Sequence, residues 1–330
     1  MINSKRLFQA IAGIFLLASL AAGCSTTQTA PNAGTSEGGS QPQGKKQLQV
    51  ALVMKTLSNP FFIAMEEGAK KAESEFGIKL YAQAAQEETS VEQQIAIVED
   101  MIAKKMDAIV IAPSASKEIV PVLKKAQDAG ITVVNIDNQV DPETAKAAGL
   151  RVPYVGASNL DGGYMAGKYL AEQLNGKGKV AIIEGIQGVD NAENRKAGAM
   201  KAFSEYSGIE VVASQSANWK TEEALNVMTN ILQANPELDG VFAANDMMAF
   251  GAVQAIAAVG KTDRIKVAAY DALDQAKQYI KEGKMISTID QRPDEMGYYG
   301  VKYALDLING KEVQDEYMVE LINITKENVK

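Results

Sequence analysis

The chain of 330 residues contains no histidine, one cysteine and one tryptophan. Without imidazole the commonest general acid–base group near neutral pH is missing, and zinc and haem sites lose their usual ligand, so neither a metal nor another cofactor is expected. The lone thiol, Cys24, permits no disulfide within the chain, so packing has to supply the stability. Acidic residues outnumber basic ones by 41 to 33, and the net charge of −8 repels phosphate backbones, which argues against nucleic acid as a partner. No GxGxxG or GxxxxGK[ST] pattern follows a strand-like run, leaving a nucleotide site without local support. Long apolar runs are missing too: the stretch at 7–20 is interrupted by Gln9 and falls short of the ~20 residues that span a bilayer.

That short apolar stretch is preceded by Lys5 and Arg6 and followed by the small residues Ala21, Ala22 and Gly23, and then by Cys24 and a polar tract. The segment resembles a bacterial lipoprotein signal, with Ala21 standing where leucine is commonest. The resemblance implies that residues 1–23 are a signal peptide and that Cys24 is lipidated as a membrane anchor. Residues 24–47, built of Ser, Thr, Gln, Gly, Pro, Asn and Ala, read as a flexible linker. The body from residue 48 onward is then expected outside the cytoplasm, tethered to the outer face of the cell membrane, or in a periplasm if the source has two membranes.

Within the body, short β-branched runs alternate with amphipathic segments, the signature of parallel sheets with helices on both faces. Strands are predicted at 48–54, 78–82, 107–112, 131–137 and 154–157, then at 179–184, 210–214, 240–245, 265–271 and 286–291. Helices are predicted between them, among others at 60–76, 90–105, 161–174, 192–206, 221–234, 247–259 and 293–309. Asn59 and Pro60 read as a cap and first helical residue, and Gly77, Gly130, Gly260 and Gly310 as left-handed residues that close helices. Ten strands suit two sheets better than one, so the expected fold class is α/β with two similar doubly wound lobes.

In such sheets ligands lie beyond the carboxyl ends of the strands. Those ends here carry Asn59, Phe61 and Phe62, then Asp137 and Asn138, then Asn191 and Arg195, Trp219, Asn245, Asp271 and Gln291. Asp and Asn also cap helices and fill turns, which is the plainer explanation for any one position. Capping does not call for a guanidinium, an indole and paired phenyl rings at the same ends. A sugar does, because each hydroxyl both donates and accepts while the C–H faces of the ring pack on aromatics. Phe61 also reads as an ordinary core residue at a helix start.

At these residues the chain resembles the ribose-type periplasmic sugar-binding proteins, the substrate-capturing components of ABC importers. The resemblance spans 48–330 and is clearest at 56–62, 213–215, 226–228, 241–246, 289–291 and 293–294. It implies a type I periplasmic binding protein fold whose lobes, 48–157 plus 292–320 and 158–291 plus 321–330, are joined by a hinge of three crossings. Sugar contacts carry over onto Asn59, Phe61, Phe62, Asp137, Arg195, Trp219, Asn245, Asp271 and Gln291. Asn138 stands where ribose binders have an arginine, Ala112 where they have an asparagine and Trp219 where they have a phenylalanine, while Asn191 is similar to a polar contact of hexose binders. These departures leave room for a pyranose hexose. The implied function is a monomeric, non-enzymatic receptor that closes on a neutral monosaccharide, pentose or hexose, and hands it to ABC permease subunits. Asp137 and Asp271 against Arg195 make the expected site net negative, which disfavours phosphorylated or acidic sugars. Two other readings remain at this level: a sugar or autoinducer receptor signalling to a chemoreceptor or sensor kinase, and a carboxylate-based glycosidase.

Overall fold

The computed structural model describes residues 47–330; the leader, Cys24 and the linker as far as Lys46 lie outside the described residues. Residues 50–54 are apolar and wholly buried, as a parallel strand covered on both faces requires. Val50, Leu52 and Met54 point into a layer with Phe62, Met65 and Ala69. Ala51 and Val53 point the other way, toward Val98, Met101, Ile119 and Leu123. Strand β1 (Gln49–Met54) is followed by α1 (Pro60–Phe76), β2 (Lys79–Ala84), α2 (Val91–Ala103), β3 (Ala108–Ile111), α3 (Val120–Asp128), β4 (Thr132–Ile136), α4 (Pro142–Ala147) and β5 (Tyr154–Gly156).

The same succession then repeats as α5 (Asn159–Gln173), β6 (Lys177–Glu184), α6 (Asp190–Ser204), β7 (Gly208–Ser216), α7 (Thr221–Ala234), β8 (Leu238–Ala243), α8 (Asp246–Ala258), β9 (Lys266–Tyr270), α9 (Asp274–Lys281) and β10 (Ser287–Asp290). Helix α10 (Pro293–Ile308) and the short strands β11 (Glu316–Met318) and β12 (Ile322–Thr325) finish the chain. The strands form two six-stranded sheets, ordered β2-β1-β3-β4-β5-β11 and β7-β6-β8-β9-β10-β12. Every pairing is parallel except β10 with β12. The two orders are equivalent and reverse at β1 and at β6, which places a crevice beyond the carboxyl ends of each sheet.

The chain changes sheet three times: after β5, after β10, and between β11 and β12. Helix α5 packs on β8, β9 and β10, whereas α10 returns to α1, β3, β4 and β5. Close helix crossings fix these layers. A Cβ at Gly163 would strike the Arg195 carbonyl, and one at Gly198 the Leu160 carbonyl, so α5 and α6 meet backbone to backbone. That contact seats α6, the helix bearing Asn191 and Arg195. The predicted caps are present: Asn59 Oδ1 accepts from the Phe61 N–H, and Gly77 ends α1 at φ 64° with its N–H on the Glu73 carbonyl. Strands β11 and β12 add edges that the sequence reading did not contain.

Candidate functional site

Ten side chains that follow strand ends and two from α6 converge on a small cavity between the carboxyl edges of the two sheets. From the first sheet come Lys55, Asn59, Phe61 and Phe62 after β1, Glu88 after β2 and Asp137 after β4. The second contributes Asn191 and Arg195 on α6, Trp219 after β7, Asn245 after β8, Asp271 after β9 and Gln291 after β10. Wider hollows lie near the opposite, amino-terminal ends of β3 and β4, away from this convergence.

Arg195 organises the second half. Its Nε donates to Asn159 Oδ1 at 2.8 Å and its Nη1 to the Ala244 carbonyl at 2.9 Å, with Asp271 Oδ1 3.6 Å away. The guanidinium lies 3.8 Å from the ring centre of Tyr270 and 5.5 Å from that of Trp219, in cation–π range of both. Asp271 also accepts from Gln291 Nε2 at 2.8 Å. Burial raises the Asp271 carboxyl to about 7, against the opposing pull of Arg195. Behind it, the fully buried Asp246 accepts from the Leu273 N–H and from Thr288 Oγ1, and Thr288 Oγ1 accepts from the Ala272 N–H. This network pins the turn on which Asp271 sits.

The first half is built around Asp137. Lys55 Nζ lies 3.2 Å from Asp137 Oδ2, both side chains almost wholly buried, and 5.8 Å from the ring centre of Phe62. Phe61 and Phe62 meet edge to face at 5.1 Å. Asn59 spends Oδ1 on its helix cap and donates Nδ2 to Glu88 at 3.0 Å. Loss of solvent raises the Glu88 carboxyl, opposed by the charge of Lys55 and the bond from Asn59.

Three buried lining atoms have no hydrogen-bond partner among the described residues: Asp137 Oδ2, Asn191 Oδ1 and Trp219 Nε1. Lys55 meets the first by charge and proximity but not with hydrogen-bond geometry. Each such buried group costs about 1–3 kcal/mol. Backbone strain gathers at the same places, because Asp137, Trp219 and Asp271 hold φ of 63°, 66° and 113°. Sparsely populated conformations of this kind cost on the order of 1–3 kcal/mol and cluster at functional sites. Trp219 is seated by its surroundings: a Cβ at Gly185 would overlap the indole, and Asn218 before it is tied to Glu223.

Of the residues singled out from the sequence, Asn138 does not line the cavity. Its Nδ2 donates to the Pro113 carbonyl and Ser116 Oγ, and its Oδ1 accepts from the Asn191 N–H, so its amide is committed elsewhere. Lys55 and Glu88 were missed. Lys55 follows a strand-like run directly and Glu88 follows the second, so their positions at carboxyl ends were the available signal. Adding them corrects the charge count: two cations face three carboxylates rather than one facing two.

This architecture and crevice define a class of bilobed solute receptors, and the periplasmic binding protein domain family model matches residues 50–312. The chain belongs to that family. It is 42% identical over 270 residues to a D-ribose/D-allose-binding protein of Pseudomonas aeruginosa, covering 81% of this chain and 84% of that one. A ribose import binding protein of Bacillus subtilis is 35% identical, covering 82% and 85%. A solved ABC transporter periplasmic solute binding protein of Actinobacillus succinogenes, with bound D-allose, is 49% identical with a TM-score of 0.82, covering 85% of this chain and 98% of that one.

Proposed function

We propose that this protein captures a neutral monosaccharide outside the cytoplasm and delivers it to an ABC importer. The observation that carries the reading is the trio of unpartnered buried atoms in one small cavity, two acceptors and one donor. Sugar hydroxyls can donate to Asp137 and Asn191 and accept from Trp219 Nε1. The rings of Phe61, Phe62 and Trp219 suit C–H faces of a sugar, and Arg195, Asn245, Asp271 and Gln291 add polar contacts from the second sheet. Lys55 and Arg195 face Asp137, Asp271 and Glu88, so the lining offers no excess of positive charge to hold a phosphorylated or acidic sugar. The D-ribose and D-allose of the relatives are the first candidates.

The moving bodies in this reading are residues 48–157 with 292–320 and residues 158–291 with 321–330. A sugar contacting both halves stabilises the arrangement in which both sets of contacts exist together, and the importer reads that closed shape. The carboxylates act as hydroxyl acceptors, not as acid and base, and the receptor works as a monomer held to the membrane through lipidated Cys24. Calorimetric titration with D-ribose, D-allose and the 6-phosphate of D-allose tests the ligand class. Saturable binding of a neutral sugar with micromolar or tighter Kd is expected, with no binding of the phosphate. Tighter binding of the phosphate would overturn the reading.

A further inference from the structure

Helix α6 starts without a cap of its own. Its N-cap residue Val189 offers no side-chain acceptor, and the Ala192 and Glu193 N–H groups bond the Val189 carbonyl, leaving those of Asp190 and Asn191 as orphan donors. Both are satisfied from the first sheet. The Asp190 N–H donates to Ser116 Oγ at 3.1 Å and the Asn191 N–H to Asn138 Oδ1 at 3.2 Å. Ser116 follows β3 and Asn138 follows β4, and Asn138 Nδ2 donates to Ser116 Oγ at 3.3 Å, so the two acceptors form one buried unit.

We propose that Ser116 and Asn138 are positioning residues that cap α6 across the cleft, so that the helix holding Asn191 and Arg195 is fully capped only when the two halves are together. Closure then gains a contribution that is independent of which sugar is bound. The inference rests on the proposal that the cleft closes on a sugar. A further link across the gap, Lys220 Nζ to Glu87 Oε2 at 2.7 Å, is an exposed ion pair weakened by salt, whereas the acceptors of the caps are buried and uncharged.

The cap can be removed without touching the cavity. Asp190 is the first helical residue and Val189 before it is extended at φ −91°, ψ 130°, which is where proline fits a helix. Asp190→Pro deletes the N–H, while Asp190→Ala deletes only the carboxylate and serves as its control. Ser116→Ala removes the acceptor from the other side with minimal risk to folding.

In the full chain, Asp190→Pro is expected to weaken binding of D-ribose and of D-allose by the same factor relative to Asp190→Ala, about 2- to 12-fold for one hydrogen bond. Ser116→Ala should lose at least a similar factor, and its cost on the Asp190→Pro background should be smaller than on the unmodified chain, because both remove the Asp190–Ser116 bond while Ser116→Ala also releases Asn138 Nδ2. Equal affinities for Asp190→Pro and Asp190→Ala, a loss confined to one sugar, or additive losses in the double variant would each overturn the proposal. If the unmodified protein binds neither sugar, the functional reading fails, and small-angle scattering of the ligand-free proteins then decides. A larger radius of gyration for Asp190→Pro than for Asp190→Ala supports the cap, and equal radii refute it.

Discussion

Arg195→Ala is expected to abolish saturable sugar binding at concentrations a hundredfold above the Kd of the unmodified protein, a loss of at least about 2.7 kcal/mol. Three effects combine. The Asn159 amide and the Ala244 carbonyl lose their donor, the space between Tyr270 and Trp219 loses its filling, and Asp271 loses its counter-charge. Burial, its largest opponent gone and only the Gln291 hydrogen bond still opposing it, drives Asp271 further toward its protonated form, which accepts fewer hydroxyls. The substitution also bears on folding. Breaking a buried pair costs up to about 3–5 kcal/mol, tempered here because Asp271 can take up a proton. Calorimetry and a thermal melt check both parts. Binding within tenfold of the unmodified protein would remove Arg195 from the site.

The second large effect is on pH. Asp271 is raised from 3.8 to about 7, and burial also raises Asp246, Glu88 and Asp190. A carboxyl with a raised folded value binds more protons when folded than when unfolded. Its contribution is therefore complete below the unfolded value and is lost as pH climbs through the folded one. The carboxyls with lowered values, Glu87, Asp141, Glu282, Asp306 and Glu327, titrate below this window. Ligand-free protein is thus expected to lose stability between pH 5 and pH 7, on the order of 2–3 kcal/mol from Asp271 alone, seen as a melting temperature several degrees lower. Sugar hydroxyls donating to Asp271 favour its ionised form, so saturating sugar should flatten the slope and affinity should rise over the same interval. A melting temperature that climbs from pH 5 to pH 7 without ligand would contradict this.

Much of the architecture was legible because buried parallel strands such as 50–54 have nowhere to hide polar residues, and because Asn59-Pro60 and Gly77 mark the ends of α1 so plainly. Strands β11 and β12 were not, since three or four edge residues offer no period to count. The convergence on the cavity was legible for the same reason that it exists: strand ends in this topology are brought together by the sheet. Lys55 escaped notice because a lysine after a strand ordinarily means solvent, and only the partner Asp137, 82 positions along the chain, makes its burial tolerable. Asn138 misled in the opposite direction. Its neighbour Asp137 adopts φ 63°, and the turn sends the next amide toward Pro113 and Ser116, a geometry no spacing rule conveys.

Trp219 is the sole tryptophan of the chain, lies buried in the lining and presents an unpartnered Nε1, so its emission reports directly on the claim that one sugar fills this cleft. Titration with D-allose or D-ribose is predicted to change that emission saturably, with the same midpoint as the calorimetric curve. Calorimetric binding that leaves the emission of Trp219 untouched would place the sugar elsewhere and contradict the assignment of the cleft.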